Sequence, residues 1–204
     1  VFLYCQLLIG VNMEILKQSF YERDTKIVAQ ELLGKILVHK LQEGVVSGKI
    51  VETEAYFGEG DPASHASRGK TPRSSFMFGL PGHAYVYFNY GMHWLFNVVT
   101  EKEGIPGAVL IRALEPLEGI ELMQENRGVY DISRLTDGPA KLTKAMGIGA
   151  FCNGRDITRG DLFICTSEKN EKLIIKSSKR IGISSAKDDL LRYYIKKNKF
   201  VSNK

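Results

Sequence analysis

Short runs in which hydrophobic and polar residues alternate dominate the pattern of this chain. Such alternation predicts β-strands, because successive side chains of a strand point to opposite faces. Strands are predicted at Lys35–Lys40, Val45–Tyr56, His83–Phe88, Met92–Thr100, Gly107–Ala113, Leu162–Thr166 and Lys172–Lys176. The first two strands are joined by a predicted turn at Gln42–Gly44. Two hairpins are predicted, one from His83–Phe88 and Met92–Thr100 with a turn at Asn89–Gly91, and one from Leu162–Thr166 and Lys172–Lys176.

Helical patterns lie between the strands. Asp24–Leu33 is predicted as a short amphipathic helix with Gly34 at its C′ position. Pro116 is predicted to begin a helix that runs to about Asn126. A further helix is predicted to start at Asp137–Pro139 and to be closed by Gly147. Short strands interspersed with helices predict an α+β fold.

The rest of the chain shows no repeat and no interdomain linker. We predict a single domain over residues 13–204, with a long polar connection at Phe57–Pro81 and a basic tail from Lys196 that frays. Val1–Val11 is apolar but too short to span a bilayer, and no basic residue precedes it. We therefore expect Met13 to be the natural start, residues 1–12 to be a misassigned or non-native extension, and no membrane partner.

Composition narrows the function only slightly. The chain is 44% hydrophobic and 25% charged, which is ordinary for a globular protein. A net charge of +5 fits a polyanionic partner such as nucleic acid, but it is weak evidence by itself. Cys5, Cys152 and Cys165 are scattered without any C-x-x-C spacing, so we expect reduced thiols in a cytosolic protein and no metal site.

Two carboxylates on one predicted strand carry the strongest chemical signal. Within V-E-T-E-A-Y, Glu52 and Glu54 fall on one face, where charge is costly unless it is solvated, paired or catalytic. An isolated glutamate is normally solvated. Glu52 either raises the pKa of one of the two carboxyls or shares a salt bridge with Arg112. Glu54, near the end of the strand, is a candidate general base for a water molecule.

The predicted hairpin at residues 83–100 is rich in aromatic side chains. Val86 and Phe88 are expected to pack, whereas Tyr85 and Tyr87 face the other way. Tyr90 lies beside Gly91 at the turn and is expected to be exposed. An exposed tyrosine can stack on bases or wedge between them, although a purely structural role remains open.

Several polar residues are further candidates, each with an ordinary alternative. His65 lies in a polar loop and Asn97 in an apolar strand, where a buried amide needs partners. Arg112 has apolar neighbours and would need a carboxylate. The residues suited to phosphates, each of which alone is more typical of a solvated charge, are Lys70, Arg73, Lys141 and Lys144.

A set of motifs, in fixed order from about Leu16 to Ser202, resembles one family. The motifs are V-E-T-E-A-Y, D-P-A-S-H, the T-P-R of Thr71–Arg73, Y-V-Y-x-x-Y-G-M, I-R-A-L-E-P-L-E-G, G-P-A-K-L and R-I-G-I. Each motif is modest alone, but their joint order is highly specific. The chain is similar to the alkyladenine (3-methyladenine) DNA glycosylases of the vertebrate type, a family with many bacterial members.

The resemblance implies a role for each matching residue. Glu54 would be the general base, and Arg112 would help hold it and the water. Tyr56, His65, Tyr87 and Asn97 would form the pocket for the flipped base, with Asn97 screening purine substituents. Tyr90 would enter the minor groove with Met92 beside it, and the DNA contacts would come from Lys70, Thr71, Arg73 and Lys141.

The resemblance also implies an overall picture of the protein. It would have a curved, mostly antiparallel sheet with flanking helices and a protruding hairpin. It would be a monomeric, cytoplasmic bacterial enzyme that needs no cofactor and removes alkylated or deaminated purines from double-stranded DNA. At Lys197 and Lys199 the chain departs from relatives, which tend to carry Gly and Pro there.

Two other functions remain open on the sequence. A nucleic-acid-binding protein without catalysis would use the same basic and aromatic surface, and it would show salt-dependent binding with no product. A carbohydrate or nucleoside hydrolase would use Glu54 alone and would have no need of an exposed Tyr90. Neither the preferred damaged base nor the oligomeric state follows from these patterns.

Overall fold

The structure is a computed structural model that describes residues 13–167, 172–186 and 188–202. Its strands are β1 (Ile36–Lys40), β2 (Val45–Tyr56), β3 (Ala84–Asn89), β4 (His93–Val99), β5 (Ala108–Glu118), β6 (Leu162–Cys165), β7 (Ile175–Ser178) and β8 (Arg192–Ile195). Its α-helices are α1 (Gln18–Tyr21), α2 (Thr25–Glu31), α3 (Ile120–Arg127) and α4 (Pro139–Ala145). Short 3-10 helices lie at Ser75–Phe78, Ile132–Arg134 and Ala150–Cys152.

The strands form one curved antiparallel sheet with β2 near its centre. The main path runs β3-β4-β5-β2-β1-β6, while β8 pairs with β2 and β7 pairs with β8. β5 covers one edge of β2, and the other edge is shared by β1 and β8. With helices beside this sheet, the predicted α+β fold is confirmed. The predictions for β1, β2 and the β3–β4 hairpin hold to within a few residues.

Helix α2 confirms the predicted amphipathic helix and packs on β2 and β5. The side chain of Asp24 caps it by accepting hydrogen bonds from the amides of Lys26 and Ile27. The C-cap is Leu32, so Leu33 is the C′ residue. Gly34, predicted at C′, has a φ of 85° and lies one position further along the chain. Helix α4 also matches its prediction, because Gly147 has a φ of 64° directly after the C-cap Met146.

The prediction that Pro116 begins a helix is wrong. Pro116 lies in β5 opposite Gly48, next to a register shift between Ser47 and Gly48. A proline can occupy a strand at such an irregularity, because the ladder there does not depend on its missing N–H group. Helix α3 begins only at Ile120, after Gly119 turns the chain with a φ of 70°.

The predictions for the C-terminal third also need correction. β6 pairs with β1, and β7 pairs with β8, so the predicted hairpin between β6 and the segment at Lys172–Lys176 is wrong. β8 was not predicted. The basic tail does not fray within the described range, because Phe200, Val201 and Ser202 are buried. Residues 1–12, which include Cys5, lie outside the described residues, so the predicted domain boundary at Met13 stays a prediction.

The long polar connection after β2 is ordered and packs under the hairpin. Its Ala66 and Met77 form a small second core with Tyr85, Val99 and Ala108. This core fixes the loop that carries His65 against the inner face of β3.

Three features of the described residues bear on the sequence-based expectations. The described cysteines, Cys152 and Cys165, are both buried, and their reduced state stays a prediction. In the described ranges, no helix has the length and apolar character needed to cross a bilayer. The same residues contain no group of three or more His, Cys, Asp or Glu side chains placed to hold a metal ion.

Candidate active site

Glu52 and Glu54 both lie on β2 with no exposed surface. Arg112 lies on the neighbouring strand β5, and its guanidinium contacts both carboxylates. Its Nε lies 2.8 Å from Oε1 of Glu52, and its Nη1 lies 3.2 Å from Oε1 of Glu54. Of the two alternatives for Glu52, the shared salt bridge is the one observed. One guanidinium thus joins both carboxylates of the V-E-T-E motif.

Glu52 is an anchor with every oxygen occupied. Its Oε1 also accepts hydrogen bonds from Arg192 Nε at 2.7 Å and from the Ser202 hydroxyl at 2.9 Å. Its Oε2 accepts one from the Ser202 amide at 2.7 Å. Both oxygens of the Glu52 carboxylate are thus held by protein donors, three of them on Oε1. Glu52 therefore fixes Arg112, β8 and the C-terminal segment to the sheet.

Glu54 has fewer contacts, and they come from residues that line a cavity. The Tyr56 hydroxyl donates to Oε2 at 2.7 Å, and the Ile181 amide donates to Oε1 at 2.7 Å. Tyr56, Ile181 and Arg112 all line the cavity, whereas Glu54 lies directly behind them. Opposing effects act on Arg112: burial disfavours its charge, but the nearby Glu54 and Glu52 outweigh burial and raise its pKa.

A second buried ion pair holds Ile181 in place. Arg180 has no exposed side-chain surface and binds Asp61 through Nη1 and Nη2, each at 2.7 Å. Nη1 also donates to the carbonyl oxygen of Ala55 at 3.0 Å. The same guanidinium lies 4.7 Å from the centre of the Tyr56 ring. Arg180 thereby supports the ring of Tyr56 and the amide that reaches Glu54.

The cavity has a volume of about 430 Å³ and brings together most of the predicted pocket residues. The predicted residues that line it are Tyr56, His65, Tyr87, Tyr90, Asn97 and Arg112. The other predicted contact residues do not line it. These are Met92, Lys70, Thr71, Arg73 and Lys141.

Aromatic rings make up one side of the cavity. The His65 and Tyr87 rings meet edge to face with centres 4.6 Å apart, and Tyr85 lies 5.2 Å from Tyr87. Tyr85 also holds His65 through a 2.8 Å hydrogen bond between its hydroxyl and Nδ1. Arg73, from the T-P-R motif, lies over the Tyr87 ring at 5.2 Å. The rings are therefore fixed before any ligand binds.

The ring groups of the cavity are uncharged at neutral pH. Burial, helped by the charge of Arg73, lowers the pKa of His65 to about 4. Burial raises the pKa of Tyr87 to about 12. Burial and then the charge of Glu54 raise the pKa of Tyr56 well above its usual range. Tyr56 thus keeps its proton at neutral pH and acts as a hydrogen-bond donor to the carboxylate of Glu54.

Asn97 satisfies the requirement of a buried amide. It is buried on β4, and its Nδ2 donates to the carbonyl oxygen of Tyr85 at 3.1 Å. This bond fixes the amide plane at the cavity surface, where the other hydrogen-bonding groups of the amide are available to a ligand.

The turn of the β3–β4 hairpin presents two large side chains to solvent. Tyr90 is 77% exposed and Met92 is 68% exposed. Asn89 pairs with His93, so Tyr90–Met92 forms the turn, and Tyr90 adopts a φ of 50°, which is uncommon for a residue with a side chain. The expectation that Tyr90 is exposed is confirmed by this geometry.

The predicted phosphate ligands have different surroundings. Lys70, Thr71 and Arg73 lie on the exposed loop beside the cavity, where Thr71 and Ser74 hydrogen-bond each other. Lys141 is less available, because its ammonium binds both oxygens of Asp137 at 2.9 Å. The roles of all of these residues in DNA binding stay predictions.

The sequence reading assigned no role to the residues that hold Glu52 and Glu54 from a distance. Asp61 and Arg180 each lie within a quoted motif, D-P-A-S-H and R-I-G-I, and their place in these motifs was the available signal. Arg192 and Ser202 gave no local signal. Their importance depends on contacts across 140 and 150 positions of the chain.

The fold and site together define an enzyme class. A buried carboxylate lies behind a ring-lined cavity, and an exposed tyrosine lies at the tip of the neighbouring hairpin. This arrangement is suited to hydrolysis of the N-glycosidic bond of a nucleotide that has been turned out of a DNA duplex. Consistent with this class, the model of the methylpurine-DNA glycosylase family matches residues 19–199. The chain belongs to this family, so the predicted resemblance and the class of DNA-repair glycosylase are confirmed.

Relatives of similar length support the assignment. A protein of Chlorobaculum tepidum is 50% identical over 93% of this chain and 91% of its own length. One of Carboxydothermus hydrogenoformans is 50% identical over 93% of this chain and 100% of its own. One of Clostridium acetobutylicum is 49% identical over 91% and 96%. The names of all three designate a 3-methyladenine DNA glycosylase.

Proposed function

We propose that this protein removes alkylated or deaminated purines from double-stranded DNA by hydrolysing the N-glycosidic bond, and that it leaves an abasic site. The observation that carries the proposal is the position of Glu54, fixed by Arg112 and Tyr56 directly behind the cavity. The names of the relatives, which designate 3-methyladenine, make an alkylated purine the first substrate to test.

Access to the bond requires that the damaged nucleotide leave the stack. Extrusion costs a few kcal/mol, and less where damage has already weakened pairing. In the proposal, Tyr90 enters the duplex and fills the gap, with Met92 beside it. Lys70, Thr71 and Arg73 contact phosphates and fix the register without reading sequence. Lys141 would join them by exchanging Asp137 for a phosphate.

The extruded base is held by stacking. Its ring lies between Tyr56 on one side and His65 and Tyr87 on the other. A purine that carries positive charge after alkylation gains cation–π attraction from these faces. Asn97 contacts the purine edge and disfavours bases with the wrong substituents. Since the rings and the amide are fixed in the free protein, little order is lost when the base enters.

The reaction itself needs one proton transfer at Glu54. The carboxylate takes a proton from water as the water oxygen bonds to C1′ of the sugar. The C1′–N bond breaks, and its electron pair leaves with the base. An alkylated, cationic purine departs as a neutral molecule and needs no further proton. A neutral purine such as hypoxanthine departs as an anion and takes a proton from solvent water. Arg112 keeps Glu54 and the water aligned.

We also propose that the enzyme is monofunctional, acts as a monomer and works in the cytoplasm, where bacterial DNA lies. The described residues that line the cavity include no lysine, so no Schiff base with the sugar is expected. The step uses only side chains and water, so the scheme assigns no role to a cofactor.

A substrate panel tests the proposal. The substrates are duplexes with a single hypoxanthine or a single ethenoadenine, together with methylated DNA, and alkali cleavage reveals abasic sites. We expect base release from at least one substrate and no enzyme–DNA adduct after borohydride treatment. Binding to every duplex without release from any would contradict the proposal and favour a binding protein. A trapped adduct would contradict the monofunctional chemistry alone.

A further inference from the structure

The two oxygens of Glu54 have unequal surroundings, and this difference bears on the proposed reaction. Oε1 accepts the Ile181 amide at 2.7 Å and also faces Nη1 of Arg112 at 3.2 Å. Among the described residues, Oε2 accepts a single hydrogen bond, from the Tyr56 hydroxyl at 2.7 Å. Each carboxylate oxygen offers about two acceptor positions. Donors therefore occupy Oε1 from two directions, while Oε2 keeps one position open.

Tyr56 is well placed to control that open position. Its ring lines the cavity, and its hydroxyl ends on Oε2, so the contact joins the base pocket to the carboxylate. Arg180 supports the ring from 4.7 Å, which limits the movement of the hydroxyl. Glu54 has no exposed surface in the free protein, so a reacting water must pass the lining residues, of which Tyr56 is one, to reach Oε2.

We propose that Tyr56 is a positioning residue as well as a wall of the base pocket, and that its hydroxyl sets Oε2 of Glu54 as the atom that takes the proton from water. By filling one acceptor position, the hydroxyl leaves a single direction from which water can approach. It also stabilises the charged form of the base. This inference rests on the proposed function, since it concerns the same proton transfer.

The charged and titratable groups around Glu54 decide how the pH profile responds. Those that face it are Tyr56 on its own strand, Arg112 on β5, Tyr87 on β3 and Arg180 before β8. Glu52 acts through Arg112, and Arg192, which pairs with Glu54 in the β2–β8 register, binds Glu52 with its side chain. The substitution Tyr56→Phe leaves all the others in place. It removes only a hydrogen bond to the charged carboxylate, so the charged form of Glu54 loses one stabilising donor.

The experiment compares single-turnover base release as a function of pH for the wild type and Tyr56→Phe. We expect the acid limb to move up by about one pH unit, and the plateau rate to fall about ten-fold because water can occupy the vacated acceptor position. Duplex affinity should change less than two-fold or so, because the phenylalanine ring still stacks on the base. Ethenoadenine fluorescence reports flipping separately and should be nearly unchanged.

Tyr87→Phe provides the matched control, since it removes a hydroxyl from the opposite wall that makes no hydrogen bond to Glu54. Its plateau rate is free to change, but its acid limb should stay with the wild type. A Tyr56→Phe profile with an unmoved acid limb would overturn the inference, whatever its plateau. Absence of release by the wild type at every pH would instead contradict the proposed function.

A second substitution tests the direction in which the acid limb moves, and it keeps the buried hydrogen bond. Incorporation of 3-fluorotyrosine at position 56 keeps the hydroxyl and makes it a stronger donor. The acid limb should then move down instead of up, by a few tenths of a pH unit. A shift in the same direction as that of Tyr56→Phe would show that the hydroxyl does not act through Glu54.

Discussion

Arg180 and Asp61 form a buried bidentate ion pair that joins the C-terminal segment to the loop after β2, with both N–O distances at 2.7 Å. The pair lies behind the site, where Arg180 also supports the ring of Tyr56. Its position couples the stability of the fold to the geometry of Glu54, because the amide of Ile181 follows Arg180 directly in the chain.

Removal of one charge from this pair should be costly. Asp61→Asn leaves Arg180 charged and buried, and we expect a loss of about 3 kcal/mol in the free energy of unfolding. Urea unfolding at pH 7 measures the loss. The matched control is Asp188→Asn, which breaks an exposed pair with Lys179 and should change the free energy of unfolding far less. Equal losses in the two variants would show that the buried pair contributes little.

Tyr90 should matter for duplex DNA and hardly at all for folding. With 77% of the residue exposed, Tyr90→Ser should change the free energy of unfolding by less than about 0.5 kcal/mol. Base release from duplex DNA should slow by about ten-fold or more, because nothing fills the gap left by the extruded base. Release from single strands should be spared.

Tyr130→Ser is the control for Tyr90→Ser, since Tyr130 is 82% exposed and does not line the cavity. It should leave both substrates unaffected. Equal slowing of Tyr90→Ser on duplex and single strands would contradict the role of Tyr90 in flipping.

His65 should make stability depend on pH in a defined window. The unfolded chain binds a proton at His65 near pH 6.5, whereas the folded protein binds it only near pH 4. The contribution of neutral His65 to the free energy of unfolding is complete above pH 6.5 and is lost as the pH falls towards 4. The wild type should therefore lose more stability than His65→Gln between pH 7 and pH 5. Parallel losses in urea unfolding would contradict the lowered pKa.

Lys197 carries backbone strain that a glycine would relieve. It has a φ of 65°, in the left-handed region that favours glycine. Lys197→Gly should stabilise the protein by up to about 1 kcal/mol, with the gain limited by the greater freedom of glycine in the unfolded chain. Lys199→Gly, at a position without positive φ, should destabilise it instead. Thermal unfolding of both variants checks the contrast.

Local patterns predicted the parts of the fold that depend on neighbouring residues. β2 and the β3–β4 hairpin show alternation and turn residues, and α4 has Pro at its start and Gly147 after its end. Pro116 misled the prediction, because its preference for the start of a helix is weaker than the pairing of β5 with β2. The partners of β6 and β7 are set by distant strands, which no local rule identifies.

The site shows the same division. Glu54, Tyr56 and Tyr90 could be selected because short motifs and a turn place them. The anchoring role of Glu52 could not be predicted, since two of its partners, Arg192 and Ser202, lie at the far end of the chain and are brought in by β8. Burial of charge was the feature common to Glu52 and Glu54, but only their partners show that one anchors and the other is available.

The most direct test of the account is base release by Glu54→Gln compared with the wild type, in single-turnover reactions on the best duplex substrate. The amide keeps the shape of the side chain but cannot take a proton from water, so release should fall by about 10²-fold or more. Duplex binding should be retained. Release at the wild-type rate from a folded, DNA-bound Glu54→Gln protein would contradict the assignment of Glu54 as the general base.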